Sequence, residues 1–450
     1  MSLGFDFGTA NCCVAHLVED KVTPIPLVGE NIYLPSTLCA PNAESVSEYL
    51  FRCLNIEPSN DANQAVLRRA ITINREEGLE VRTDDVKFGN EALELYLEDP
   101  KDVYFVKSPK SFLGAMGLRD LQLSFFEDLV CAMMSNIKRR AESSARKEFT
   151  QTVIGRPVNF LGRGGEASNI QAVDILTRAA KRAGFKDIEF QYEPVAAGLD
   201  FEATLNSDKK VLVVDIGGGT TDCSMIQMGP TWRGKQDRRD SLLAHTGQMV
   251  GGNDLDIFIA FKCLMTEFGL GSKLKSGLDL PLIQFWNAIA INDVQAQRDF
   301  YAHDNLSMLR QFHKEAMQPE KLQRLVKLHQ ETLGHGVIHQ AELAKIAMSE
   351  HNDYTTTIDL VSEAFNVPTT REAIDAAIEN PMHKIRSLVQ DAVTQSGIQP
   401  DVIYMTGGSS RSKALTSAVA SVLPNTEIVS GNYFGSVTAG LTHWANLIYR

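Results

Sequence analysis

The sequence predicts an α/β fold whose glycine turns cradle phosphate, and three observations carry that prediction. Residues 211–224 read VLVVDIGGGTTDCS: a β-branched apolar run too short for a helix, an acid, three glycines, two hydroxyls and a second acid. Residues 3–13 read LGFDFGTANCC and repeat that order near the start of the chain. Strands then alternate with helices, and the glycine turns follow the carboxyl ends of strands, where open α/β sheets bind ligands. Glycines in series permit positive φ, so successive N–H groups can turn inward and hold an anion. Asp215 and Asp6, each closing a strand, face the two cradles, and an acid beside phosphate makes chemical sense with a cation between them. Either stretch alone also reads as a plain hairpin with its acids in solvent. Two copies suggest a duplicated fold whose halves face each other across one nucleotide.

The totals agree with a globular chain. With 450 residues and 44% apolar content, it is long enough for roughly three domains or for two large lobes with insertions. The net charge of −12 argues against nucleic acid, whose phosphates need clustered Lys and Arg. The seven cysteines form no CxxC pair, and several sit in apolar runs, as expected in a reducing compartment. No basic-then-apolar leader precedes the first strand and no apolar run approaches a membrane span, so a soluble, cytoplasmic protein is expected.

Residues 21–28 predict a strand, placed at an edge by Pro24 and Pro26, and residues 33–38 another. Helical spacing at Val46, Tyr49, Leu50 and Cys53, and again at Ala65, Val66, Ala70 and Ile73, marks 45–83 as a helical insertion. A helix follows from 88 to about 97, stopped by Asp99-Pro100. Residues 106–114 carry Lys107 and Lys110 in an apolar neighbourhood, either as surface lysines or with one reaching a phosphate. The stripe Phe126, Leu129, Val130, Met133, Met134 and Ile137 reads as core. A strand at 153–158, a helix at 170–183 closed by Gly184, and a short strand at 190–192 lead to Glu193, at a strand–helix junction before Pro194.

Residues 250–256 form another glycine turn entering a helix, with Asn253 or Asp254 as cap. Residues 265–340 are the least legible, with a loop at 269–277 and a helical pair at 306–335 broken at Pro319. His329, His335 and His339 invite a metal reading, but no cysteine or well-placed acid completes a site. A helix at 342–349, a strand at 354–360 and a long helix at 374–392 closed by Gly397 come next. Residues 401–411 repeat the strand-then-glycines design without the acid, which suits a base or ribose. A glycine turn at 435–440 and a helix at 441–449 end the reading.

With these turns in place, the sequence resembles the actin, sugar-kinase and heat-shock-chaperone ATPase superfamily, and within it the DnaK-type chaperones, most of all the short bacterial forms of the YegD type. The resemblance implies a two-lobed actin-like ATPase fold of duplicated ribonuclease H-like domains with helical insertions. Lobe I would span 1–204, with a subdomain inserted at about 39–126. Lobe II would span 205–450, with a largely helical insertion at about 251–384 and a final helix returning to lobe I. It implies a first phosphate loop with Gly8, Thr9, Ala10 and Asn11, and a second with Gly217, Gly218, Gly219, Thr220 and Thr221. Gly251, Gly252, Glu342, Lys345, Gly407, Gly408, Ser409 and Arg411 would lie on the adenosine side. Asp6, Asp215 and Glu193 would hold Mg²⁺, mostly through waters. Lys110 would be the catalytic lysine, and Asp222, with Glu193, would help position the attacking water.

The function so implied is binding and slow hydrolysis of ATP by a chaperone-like ATPase, with ATP/ADP and Mg²⁺ as cofactors and with client or co-chaperone proteins as partners. A nucleotide-dependent scaffold or pseudo-ATPase, and a small-molecule kinase using Asp222 as base, share the same cleft. Departures stand out as well. Ala10 replaces a usual threonine, Ile346 an arginine that stacks on adenine, and Phe434 an acid near the nucleotide. The peptide-gripping β-sandwich and its linker are expected to be absent.

Overall fold

Each glycine hairpin seeds its own sheet. The computed structural model describes residues 1–449 except 101, 161–163, 236–238, 361–362 and 432–434, and it leaves the side chains of Asp200, Arg239, Val294 and Arg411 undescribed. β1 (Ser2–Phe7) runs antiparallel to β2 (Asn11–Val18), and β3 (Lys21–Pro24) closes that edge, where the missing N–H of Pro24 needs no outer partner. β4 (Tyr33–Pro35) also pairs with β2, whereas β5 (Thr37–Ala40) joins β6 (Lys87–Phe88) and β7 (Tyr104–Lys107) in a separate sheet. Residues 33–38 are therefore two strands, not one. The break falls at Ser36, which leaves both ladders to donate its N–H to Ala10 O (2.8 Å) and its hydroxyl to Gly8 O (2.6 Å).

α1 (Glu44–Leu54) and α2 (Asp61–Glu76) lie between β5 and β6, and α3 (Asn90–Glu98) between β6 and β7. Then α4 (Asp120–Ala145), β8 (Gln151–Arg156), α5 (Glu166–Arg182), β9 (Asp187–Tyr192) and α6 (Glu193–Glu202) alternate. β8 and β9 add in parallel, giving the order β3-β2-β1-β8-β9. The apolar faces of α1 and α4 share one core with β1, so the helical insertion is fused to the sheet by Val46, Tyr49 and Leu50.

The second sheet begins with β10 (Lys209–Ile216), β11 (Thr221–Met228) and β12 (Leu242–Gln248). The chain then leaves it for α7 (Gly252–Ile259), α8 (Leu282–Ile289), α9 (Val294–Phe300), α10 (His303–Glu315), α11 (Pro319–Gln330) and α12 (Gly334–Ala347). The hairpin β13 (Asp353–Asp359) and β14 (Ala364–Thr370) precedes α13 (Arg371–Ser396). β15 (Val402–Thr406), α14 (Lys413–Val422), β16 (Glu427–Ser430) and α15 (Gly435–Ile448) complete the described chain. β15 and β16 return in parallel to give β12-β11-β10-β15-β16, the same order and sense as the first sheet. β12, β14, α14 and β16 carry little periodicity, and the sequence alone does not announce them.

α15 is one helix from residue 435 onward, where the sequence reads a turn followed by a helix. Its glycines serve close approach instead of chain reversal. Gly440 lies against the Ala196 carbonyl of α6, and a Cβ on Gly4 of β1 would sit 2.8 Å from the Thr442 Cα. The Thr442 hydroxyl donates to Ala15 O on β2 at 3.2 Å. All seven cysteines are free thiols, and no helix among the described residues is long and apolar enough to cross a membrane.

The α6–α15 crossing gives a direct test. Gly440→Ala puts a methyl into the Ala196 carbonyl and is expected to lower stability by about 1–3 kcal/mol through overpacking. Gly336→Ala in α12, whose nearest neighbour would be Leu97 Cδ2 at 4.0 Å, is expected to be neutral or stabilising in the same thermal denaturation.

Candidate functional site

The two hairpin loops meet. A Cβ on Gly218 would lie 3.0 Å from the Ala10 Cβ, and one on Gly219 3.0 Å from the Thr9 methyl, so only glycine lets loop 217–220 approach loop 8–11 this closely. The loop carbonyls are drawn outward into protein bonds. Gly8 O accepts from Ser36 Oγ (2.6 Å) and Thr9 O from Ser108 Oγ (2.6 Å). Gly217 O accepts from Gly252 N (2.9 Å) and Ser409 Oγ (2.9 Å), and Gly218 O from Asn253 N (2.7 Å). Among the described residues, the N–H groups of Thr9, Ala10, Gly218, Gly219 and Thr220 donate to no protein acceptor. Carbonyls tied back and amides left free make an anion cradle.

The cradle opens on a cavity of about 650 Å³. Of the residues expected at the site, Asp6, Gly8, Thr9, Ala10, Asn11, Glu193, Asp215, Gly217, Gly218, Thr220, Gly252, Glu342, Lys345, Gly407, Gly408 and Ser409 line it. Asp6 and Asp215, the strand-closing acids of β1 and β10, thus face one space. Gly407 has φ +84°, and a Cβ there would lie 2.5 Å from the Asp215 carboxylate, so the third glycine turn is fitted against that acid.

Lys110, Asp222, Gly219, Thr221 and Gly251 stand just outside the wall. Lys110, from the 3-10 turn Pro109–Phe112 after β7, is buried and donates to Glu193 Oε1 (2.5 Å) and Gly155 O (3.1 Å). Asp222, opposite Asp215 in the β10–β11 ladder, accepts the Val158 N–H at 3.1 Å. Thr221 departs from its expected role as a phosphate contact: its hydroxyl donates to Val250 O at 2.7 Å and is fully buried. Gly251 abuts the Gly217 and Gly218 carbonyls, each 2.7 Å from where its Cβ would stand, and as N-cap of α7 its N–H donates to Asp254 at 2.8 Å. The cap is therefore Gly251, with Asp254 reaching back to it, and neither Asn253 nor Asp254 occupies that position. The side chain of Arg411, and the whole of Phe434, lie outside the described residues.

Four carboxylates share this buried region with one lysine. Burial first, and the Glu193 charge second, push Asp6 up to about 7 against the pull of Lys110. Burial also drives Asp215 and Asp222 well above the usual carboxylate range, again with Glu193 as the next cause. Among the described residues no three His, Cys, Asp or Glu side chains are grouped to hold a metal ion directly. The acids suit a hydrated cation held through its water shell. The three histidines do not converge either. His329 packs on Phe300 and Tyr301, His335 on Tyr96 and Phe105, and His339 lies 3.8 Å from Glu342.

At the far wall, Lys345 pairs with buried Asp256 at 2.7 Å and donates to Gly252 O at 3.3 Å. Glu342 pairs with Lys107 at 3.0 Å, joining α12 to β7 across the cleft. Burial would raise the Glu342 carboxyl, but the His339 bond and the charges of Lys107 and Lys345 outweigh it and hold the group low. Exposed Ile346 lines the same wall. Lys107 is thus a cross-cleft strut, a role its spacing does not reveal. Ser36, Ser108 and Gly155 also support the site without any sign of it in the sequence, because a lone serine or glycine carries no periodic signal.

Parts of the chain are similar to known proteins. The family model described as Hsp70 protein matches residues 120–280. A chaperone protein HscA homolog of Rickettsia rickettsii (strain Sheila Smith) is 24% identical over 334 residues, covering 74% of this chain and 47% of the relative. The homolog from Rickettsia prowazekii (strain Madrid E) is 23% identical over the same length. Over these stretches the chain is similar to Hsp70 and HscA chaperone proteins. It spans about half the length of the curated relatives it matches. The Hsp70 match covers β10, the 217–220 loop and β11, together with Glu193 and the whole of α7.

The acid cluster sets a pH dependence. An acid with a raised folded value binds its proton more tightly folded than unfolded, so the stability it lends is present near its ordinary value of 3.8 and is lost as pH rises towards 7. Ligand-free protein is expected to melt at falling temperature across that window. Asp6→Asn should flatten the profile and raise the melting midpoint at pH 8, as read by circular dichroism.

Proposed function

We propose that the cleft binds a magnesium–nucleotide complex and that the chain is a chaperone-like ATPase that hydrolyses ATP slowly. The observation that carries this reading is the pairing of two loops with free N–H groups against strand-closing acids in one cavity. We take the two sheets of equal connectivity as centres of two actin-like lobes, 1–204 and 205–450, with insertions at about 39–126 and 251–384 and with α15 returning to the first lobe. Client or co-chaperone proteins are the proposed partners, since the relatives are named as chaperones.

The residues present fit the ligand. Mg²⁺, when bound, supplies the positive charge that lets adjacent phosphates and carboxylates coexist. Asp6, Asp215 and Glu193 would hold it, mostly through its waters. The N–H groups of both loops, with Thr9 and Thr220, bind phosphate oxygens. Lys110 neutralises charge developing on the terminal phosphoryl, and Glu193 fixes the Lys110 ammonium in place. Asp222, held by the Val158 N–H, helps position the attacking water. Glu342, Lys345, Gly407, Gly408 and Ser409 form the adenosine side, where Ile346 offers an apolar face to the base. This division of labour is positioning and charge stabilisation, which dominate phosphoryl transfer.

Calorimetry with ATP, ADP and GTP at fixed Mg²⁺ tests the reading, with binding of the adenine nucleotides expected and its complete absence refuting it. In single-turnover assays Lys110→Ala is expected to slow ATP hydrolysis by roughly 10²–10³-fold, the loss typical of one preorganised donor. An unchanged rate would remove Lys110 from the mechanism.

A further inference from the structure

The turn that presents Lys110 carries a second polar group that the protein itself leaves unused. Ser111 is 5% exposed, and its hydroxyl has no hydrogen-bond partner. It does not face apolar core. A Cβ on Gly219 would lie 3.5 Å from Ser111 Oγ and 3.0 Å from the Thr9 methyl, so the hydroxyl stands at the seam where loops 8–11 and 217–220 meet. The turn is held firmly there. Ser108 caps it with φ 59° and ψ 55°, a left-handed conformation that a non-glycine residue keeps only when its surroundings impose it. They do so: the Ser108 N–H donates to Ser36 O (2.7 Å), its hydroxyl to Thr9 O (2.6 Å), and Asn253 Nδ2 reaches that hydroxyl at 3.4 Å. The Ser111 N–H closes the turn onto Ser108 O at 2.9 Å. Lys110 is engaged by Glu193 and Gly155, whereas the adjacent hydroxyl is free to donate.

We infer that Ser111 donates a hydrogen bond to the terminal phosphoryl group of a bound nucleoside triphosphate and so separates triphosphate from diphosphate. The inference rests on the nucleotide reading above, which sets the terminal phosphoryl beside Lys110, the preceding residue of the same turn. A buried hydroxyl with no acceptor is a net cost to the folded protein, and a charged phosphoryl oxygen at the loop seam offsets it.

Calorimetry on the full chain at fixed Mg²⁺, with ADP and with the β,γ-imido analogue of ATP, tests this. Ser111→Ala is expected to weaken the triphosphate analogue roughly tenfold, as for one hydrogen bond to a charged group, while ADP affinity stays the same. The ligand-free melting midpoint should stay level or rise, because no protein bond is lost. A wild-type protein that binds both nucleotides, with Ser111→Ala changing neither or both equally, overturns the role of Ser111 alone. A lowered midpoint would reveal a structural partner for the hydroxyl and overturn it too. Wild-type protein that binds neither nucleotide overturns the nucleotide reading, and this inference with it.

Discussion

Acids held close together at the back of one cavity are the constraint on which this structure turns. Two strands from separate sheets each end on an aspartate, a helix begins on Glu193 beside them, and Asp222 stands behind, with Lys110 as the near cation. Coulomb repulsion among buried carboxylates is large because the surroundings screen it poorly. A fold keeps such an arrangement only if rigid elements impose it. Here they are the two β-hairpins, the glycine-filled contacts between their loops, and the α6–α15 crossing anchored by Gly440. The acids are a standing demand for positive charge, and the free amides next to them are a standing demand for negative charge. A metal–polyphosphate meets both demands with one ligand.

The parts of this that were legible in the sequence are those in which local pattern and backbone chemistry coincide. The loops around Gly8 and Gly217 could be read because an acid, glycines and hydroxyls must follow a strand in that order to build a cradle. The long faces of α4 and α13 could be read from their 3.6-residue periodicity. Elements whose reason for existing lies elsewhere in the chain could not. Ser36 breaks a strand because it serves the Gly8 and Ala10 carbonyls, and Lys107 finds its partner on α12 235 residues away. The glycines of α15 look like a turn until Ala196 is seen beside Gly440. Thr221 shares its neighbour's chemistry in one dimension but points to Val250 in three.

A second set of contacts, of a different character, joins elements of the two sheets' insertions. Tyr96 of α3 donates to Thr332 O at 2.6 Å, and Tyr96 and Phe105 pack edge-on to His335 at 5.7 and 5.1 Å. Burial, then the Lys107 charge, lower His335 to about 3, so it stays neutral and acts as an aromatic wedge. With the Lys107–Glu342 pair these contacts join β7 and α3 to α12.

The position of α15 bears on how the protein is made. Its helix covers β1 and β2, with Thr442 against Gly4 and bonded to Ala15, so the first hairpin is sealed by a helix 427 positions further along the chain. At ordinary elongation speeds of about 5–20 residues per second, that face of the first sheet waits roughly 20–90 s for its cover. Until α15 emerges, the nascent chain exposes that face of the first sheet, the type of surface on which aggregation begins.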